Sequence, residues 1–331
     1  DTRYLLTIDK IVKSQEGVSL DDSYQLGFTT ALSQWQDPIY FWESGGQSRT
    51  AISENGDIVS VHWSYNQSNR QYEIQMVERR SGEWSTPKKI STTPHVYYPD
   101  VAMSNQGDAI ITWEYWGDKD QTFILEHVDG DWKSPRAFIG DRYSDTTSVN
   151  DDGYAVIASI ENSSYGEDRV KVIERMAAEW KETEISVMNR VSSLKLAAND
   201  EGEAILVWTQ ERSTGQTYKI FASKRSEGRW SEPTQINSEV YQLGSVDTAI
   251  DGEGNAVVVW SRSNEQNAIS TWQAMRNEFL DGQWTGEVAI DEISEESVRP
   301  RAEMTQNGYV SIVWEQGKMG DDNPIAVSNK I

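Results

Sequence analysis

The chain has 331 residues, 30 of them basic and 53 acidic, for a formal net charge of −23 at pH 7. Charge of that sign and size repels phosphate backbones and anionic lipid head groups, which excludes nucleic acid as an expected partner. No run approaches the ~18 consecutive apolar residues of a membrane span, so no membrane insertion is expected, and the absence of cysteine excludes disulfides, thiolate metal sites and cysteine nucleophiles.

The chain opens at Asp1 with neither Met nor an apolar signal core, which reads as a processed or trimmed form. Acidity, lack of Cys and many Trp, Tyr, Asn and Ser go together with export among bacterial β-proteins. A periplasmic or extracellular monomer, free or surface-anchored, is the expectation. Residues 1–33 match no repeat; within them 4–8 and 24–28 are strand candidates for an extra hairpin on the rim or a cap over one face.

From residue 34 the chain is periodic. A turn ending in Gly recurs at Gly56, Gly107, Gly153, Gly202, Gly254 and Gly308, spaced about 50 residues apart, within the range of propellers, solenoids and arrays. The second repeat resolves into four strand candidates at residues 100–104, 108–115, 121–128 and 131–138, each rich in β-branched and aromatic residues between Gly, Asn and Asp. Four antiparallel strands per period make a propeller blade. Gly takes the positive φ of the tight turn joining strands one and two, and a second Gly turn joins three to four.

The fourth strand carries Trp35, Trp84, Trp132, Trp180, Trp230 and Trp284, with Pro38, Pro87, Pro135 and Pro233 three residues further on. Proline is tolerated at a sheet edge but not inside, so this strand lies at the rim. The last repeat stops before its rim strand, while the first rim strand, around residues 35–41, has no inner strands before it. The expected fold is therefore all-β: a six-bladed β-propeller over residues 34–331, closed by the N-terminal segment supplying the outer strand of the last blade.

Fourteen tryptophans suggest sugar stacking, but most occupy repeated positions. Besides the rim set, Trp113, Trp208, Trp260 and Trp314 each stand six residues after the turn Gly, which reads as packing between blades. In the first repeat Trp63 comes one residue late, so either a β-bulge intervenes or His62 takes the packing place. Ser159 replaces the ring in the third. Trp42, Trp116 and Trp272 fall outside both sets, and Trp116, in the loop at 115–120, is the best candidate for an exposed ring. His62, His95 and His127 lack metal-ligand spacing, and neither Asp118 with Asp120 nor Asp321 with Asp322 and Asn323 forms a dedicated calcium loop, so no metal and no cofactor are expected.

Both short Gly turns fall on one side of the array. The other side carries the longer segments at 91–98, 140–144, 187–190, 238–242 and 292–299, where binding groups are usually placed. The innermost strands begin on that side, and aligning them puts Arg49, Asp100, Thr146, Lys195, Asp247 and Arg301 at one position near the axis. Such a ring either neutralises itself around a channel or forms a polar well, with Tyr97, Tyr98, Trp116, Arg142, Tyr143, Arg190, Tyr241 and Arg299 above it as further candidate binding residues.

The run at residues 251–260, DGEGNAVVVW, with its companions, resembles the propeller-type repeat of large secreted or lipid-anchored bacterial proteins, over about nine-tenths of the chain. Sialidases share the six-bladed shape, but their Ser-x-Asp-x-Gly-x-x-Trp box is not reproduced, and a set such as Arg49, Arg301 and Arg299 or Arg142 is not arranged by any pattern. Nor does the Arg, Glu and Trp trio of six-bladed fucose lectins recur. The expected function is a non-catalytic recognition module binding a glycan or another exported protein on the loop-rich face. The alternatives are a glycoside hydrolase or lyase using Asp100 and Asp247, which an unpaired, well-solvated Asp100 would eliminate, and a structural spacer of a surface assembly.

Overall fold

A computed structural model describes residues 2–8, 24–30, 41, 46, 48–118, 120–139, 142–162, 167–176, 179–188, 190–211, 217–263, 272–290, 296–317 and 325–330. All of the regular structure among them is β. The chain divides into two compact units, Asp1–Glu43 and Ser44–Ile331. In the first, Thr2–Ile8 pairs antiparallel with Tyr24–Thr30 without a register break.

The second unit contains six antiparallel sheets among its described residues, formed in chain order and each ordered by sequence from first strand to last. Their inner strands are Ser48–Ile52, Val96–Met103, Arg142–Val149, Val191–Ala198, Gln242–Ile250 and Glu296–Met304. Each of the first five lies beside the inner strand of the next sheet. The turn glycines Gly56, Gly107, Gly153, Gly202, Gly254 and Gly308 all have φ between 75 and 90°, a conformation a Cβ would penalise.

Second strands such as Ala204–Glu211 and Ala256–Ser263 are buried on both faces, because each sheet is covered by its neighbours. Counting from the turn Gly, side chains at even positions face the preceding sheet and those at odd positions the following one. Thus Ile205 and Val207 of the fourth sheet pack with Ala256, Val258 and Trp260 of the fifth, and Val257 and Val259 pack with Val310, Ile312 and Trp314 of the sixth. Trp113, Trp208 and Trp260 are wholly buried. At roughly 25 cal/mol per Å² and 150–250 Å² per ring, each is worth roughly 4–6 kcal/mol of transfer free energy.

The first repeat shows no bulge. Ile58–Asn66 pairs continuously with Gln71–Arg80, so His62 occupies the tryptophan position, 5% exposed, while Trp63 faces the opposite way into the interface with the second sheet. The interface between the second and third sheets, where Ser159 stands, is filled instead by isoleucines and by Phe138 edge-on to Trp180.

Rim strands split where proline removes a donor. Around Pro87, Pro135 and Pro233 they are pairs of short pieces, and Gly286 (φ 98°) accompanies the same split in the fifth sheet. In the third sheet Thr183 stands there and Glu179–Met188 runs unbroken. The sixth sheet ends on Ile325–Lys330, paired with Val310–Gly317. The rim strand expected to complete it, around Trp35, lies outside the described residues, as do Trp42 and Asp321 to Asn323.

Candidate active site

Away from the Gly turns, the inner strands share a second irregularity. The register shifts between Tyr97 and Asp100, Tyr143 and Thr146, Ser192 and Leu194, Leu243 and Val246, and Val298 and Arg301. The bulge residue has positive φ at Tyr98 (49°), Ser193 (53°) and Arg299 (53°), an unfavourable region for residues with a Cβ. Beyond each bulge the ladder resumes. Tyr97, Tyr98, Arg142, Tyr143 and Arg299 therefore lie on strands, which corrects their expected place in loops: the extra residue breaks the period-two alternation that identifies a strand.

The bulge sets the facing of the ring position. Its side chain points toward the following sheet, whose inner backbone it can reach. Asp100 Oδ2 accepts hydrogen bonds from the Thr147 backbone N–H at 3.0 Å and Oγ1 at 3.2 Å, while its Oδ1 lies 3.8 Å from Arg49 Nε. Asp247 repeats the arrangement three sheets on: Oδ2 accepts from the Ala302 backbone N–H at 3.2 Å, and Oδ1 lies 3.8 Å from Arg301 Nη1. Both carboxylates are about one-fifth exposed, and both arginines about half. Half-exposed, loosely spaced pairs of this kind hold little energy, about 0–1 kcal/mol each.

Burial pushes the Asp100 carboxyl above its ordinary range, against the pull of the Thr147 hydrogen bonds and the Arg49 charge. Burial does the same to Asp247, opposed chiefly by Lys195 and then by the Ala302 N–H and Arg301. Burial lowers the Lys195 ammonium, which feels Asp247, Arg301, Asp100 and Arg49 in turn. Five of the six aligned ring residues thus share one electrostatic field, with Lys195 in the fields of both carboxylates. Glu303, two residues past Arg301, is exposed overall, yet its carboxyl is also raised, by partial burial and then by Asp247.

Of the residues expected above the ring, Tyr97, Tyr98 and Trp116 come together, with ring centroids 4.9 to 6.2 Å apart. Arg190 pairs with Glu211 at 3.2 Å and Arg299 with Glu315 at 2.9 Å, both on the surface. Tyr241 is exposed and outside this group. Arg142 and Tyr143 open the third inner strand, and their side chains lie outside the described residues. The sequence reading missed Glu303, and also Trp63, Tyr65 and Tyr72, which extend the aromatic cluster. The signal was present: Tyr65 and Tyr72 are opposite one another in the hairpin of the first sheet.

No protein-family model and no curated protein sequence matches the chain. Solved structures do. An α-L-arabinofuranosidase of Fusarium graminearum, in complex with an iminosugar inhibitor, superposes with a TM-score of 0.51 at 12% identity, over 86% of this chain and 92% of that one. An α-L-arabinanase of Penicillium chrysogenum complexed with arabinobiose gives 0.50 at 10% identity over the same shares. A Dyadobacter fermentans protein of unknown function gives 0.49 at 12% identity, over 85% and 93%.

The fold is thus the propeller-like all-β fold of these glycosidases. The expectation of a non-catalytic recognition module is corrected by this likeness: the two named structures that superpose at 0.50 and 0.51 are an arabinanase and an arabinofuranosidase. Carboxyl groups contributed by separate sheets leave no local sequence motif, so the sequence offered no such signal. Asp100 is about one-fifth exposed and lies beside Arg49, so it is not the well-solvated residue that would have eliminated the enzyme reading.

Proposed function

We propose that the chain is a glycoside hydrolase acting on an extracellular or periplasmic glycan, built on a closed six-bladed propeller. In a six-membered ring the second and fifth sheets are opposite. Asp100 and Asp247 then face one another across the axis, flanked by Arg49, Lys195 and Arg301.

One observation carries the reading: two carboxyl groups, each about one-fifth exposed and held by a backbone N–H of the next sheet's inner strand and an arginine, lie in the field of a single lysine. Glycoside hydrolysis needs one carboxylic acid to protonate the leaving oxygen and one carboxylate to act on the other side of the sugar. Asp100, raised by burial and restrained mainly by neutral hydrogen-bond donors, is assigned the proton donor. Asp247, beside Lys195 and Arg301, is assigned the ionised partner.

The test is a panel of aryl glycosides and soluble polysaccharides, with reducing-end release as the readout. Wild type should hydrolyse at least one substrate, and Asp100→Asn and Asp247→Asn should each lower kcat/KM by about 100-fold or more. Hydrolysis that persists at wild-type rate in both variants would remove the assignment.

A further inference from the structure

Six rings form a continuous aromatic wall on the first two sheets, at the end away from the Gly turns. Tyr65 lies 5.1 Å from Tyr72, Tyr72 5.2 Å from Trp63 and 5.0 Å from Tyr97, and Tyr97 4.9 Å from Trp116, which is 5.7 Å from Tyr98. Tyr65 and Tyr98 are each 44% exposed and Trp116 37%. Buried rings at repeated positions are explained by packing between sheets. The exposed rings are not: the place of Tyr98 is taken by Ser193 in the fourth sheet, Ser245 in the fifth and Arg299 in the sixth.

The backbone supports the exposure at a cost. His95 (φ 59°) and Tyr98 (φ 49°) are both in the left-handed region on either side of Tyr97, and such strain persists where function requires it. The wall is also amphipathic at its edge. Trp116 donates its indole N–H to Glu114 Oε2 at 2.8 Å, and the Tyr97 phenol, raised by burial, remains a hydrogen-bond donor at neutral pH.

We infer that this wall is a stacking platform for sugar rings of an uncharged polysaccharide, leading to the Arg49 and Asp100 side of the axial well. A pyranose or furanose ring offers an apolar C–H face to an aromatic face and hydroxyls to the groups at its rim, which is the pairing this surface provides. Tyr98 is two residues, roughly 7 Å of strand, from Asp100, so a chain stacked here reaches the carboxylate. Glu114 at the platform and the net charge of −23 disfavour a polyanion. The inference rests on the glycosidase reading for what happens at the end of the platform, but not for binding itself.

Affinity electrophoresis of the full chain carrying Asp247→Asn, in gels containing arabinan, xylan, β-glucan or polygalacturonate, separates the two. At least one neutral polymer should retard the protein and polygalacturonate should not. Tyr98→Ala and Trp116→Ala should each weaken the apparent affinity about tenfold, and Tyr309→Ala, an exposed ring beside a Gly turn, should leave it unchanged. Retardation by none of the neutral polymers, retardation insensitive to both substitutions, or a stronger effect of polygalacturonate overturns the platform. Binding without hydrolysis by wild type overturns the glycosidase reading and leaves the platform standing.

Discussion

The two ends of the sheets are built to opposite rules. At the Gly-turn end polar groups of one sheet are repeatedly paired to the next. Turn meets turn through Glu54 N–H to Asn105, Gln106 N–H to Asp151, Asn150 to the carbonyls of Asn199 and Asp200, Asn199 to the Asp251 carbonyl, and Gly252 N–H to the Gln306 carbonyl. Further out, Glu78 accepts from Trp132, Glu126 from Trp180 and Arg175, and Glu174 from Arg225, each across a sheet boundary, while Tyr154 donates to Glu174 within the third sheet. At the bulged end, left-handed tyrosine and arginine, exposed rings and carboxyls raised above their ordinary range stand together. Cross-sheet bonding is concentrated at one end, and under the proposed function some stability is given up for chemistry at the other.

The largest expected effect lies at the Gly-turn end. Arg225 donates to Glu174 at 2.5 Å and to the Gly202 carbonyl, and its guanidinium stacks on Tyr154 at 4.4 Å, with both charged side chains about 95% buried. Arg225→Met leaves Glu174 buried without its cation. A loss of about 3–5 kcal/mol follows, seen as a fall in Tm on the order of 10 °C, with activity at room temperature retained. A small shift would erase the contrast between the ends.

Asp100→Asn is the mirror experiment. Its folded-state pKa lies above the ordinary value, so the stability linked to its proton is present below that ordinary value and is lost as pH rises through the folded one. At pH 7 the ionised side chain is therefore a burden on the fold, and the neutral isostere should melt at the same temperature or higher while hydrolysis falls by about 100-fold. A drop in Tm matching that of Arg225→Met would make Asp100 a structural strut. Asn199→Ala should fall between the two: it removes one hydrogen bond to Asp251 and one from the Glu203 N–H, about 1–3 kcal/mol, read as a Tm lower by several degrees.

The sequence displayed the scaffold and half of the site. Gly at a fixed interval, Trp six residues later and Pro at the rim are local signals, so the sheets, their strand order and the alignment of Arg49, Asp100, Lys195, Asp247 and Arg301 were legible. The bulges were not, because Tyr-Tyr-Pro and Val-Arg-Pro lack alternation; with them went the strand placement of Tyr97, Tyr98 and Arg299. The inter-sheet clamps of Asp100 and Asp247 depend on the backbone of a neighbour some 50 residues away. Glu303 was passed over because it is aligned with Ala51, Ala102 and Ala249, small residues elsewhere in the ring.

That departure from alanine supplies the finest test. Glu303 and Asp247 interact as like charges, so each raises the proton affinity of the other. Glu303→Gln removes one of them, and Asp247 should ionise at lower pH. The acid limb of kcat/KM, set by Asp247, should move toward acid by a few tenths of a unit, the size expected of one charge felt through largely aqueous surroundings. The alkaline limb, set by Asp100 three sheets away in the chain, should stay in place, and added salt should shrink the displacement because Glu303 is exposed. Equal movement of both limbs would mean that the two carboxyl groups titrate as one unit, and that Lys195 couples them rather than holding Asp247 alone in its ionised form.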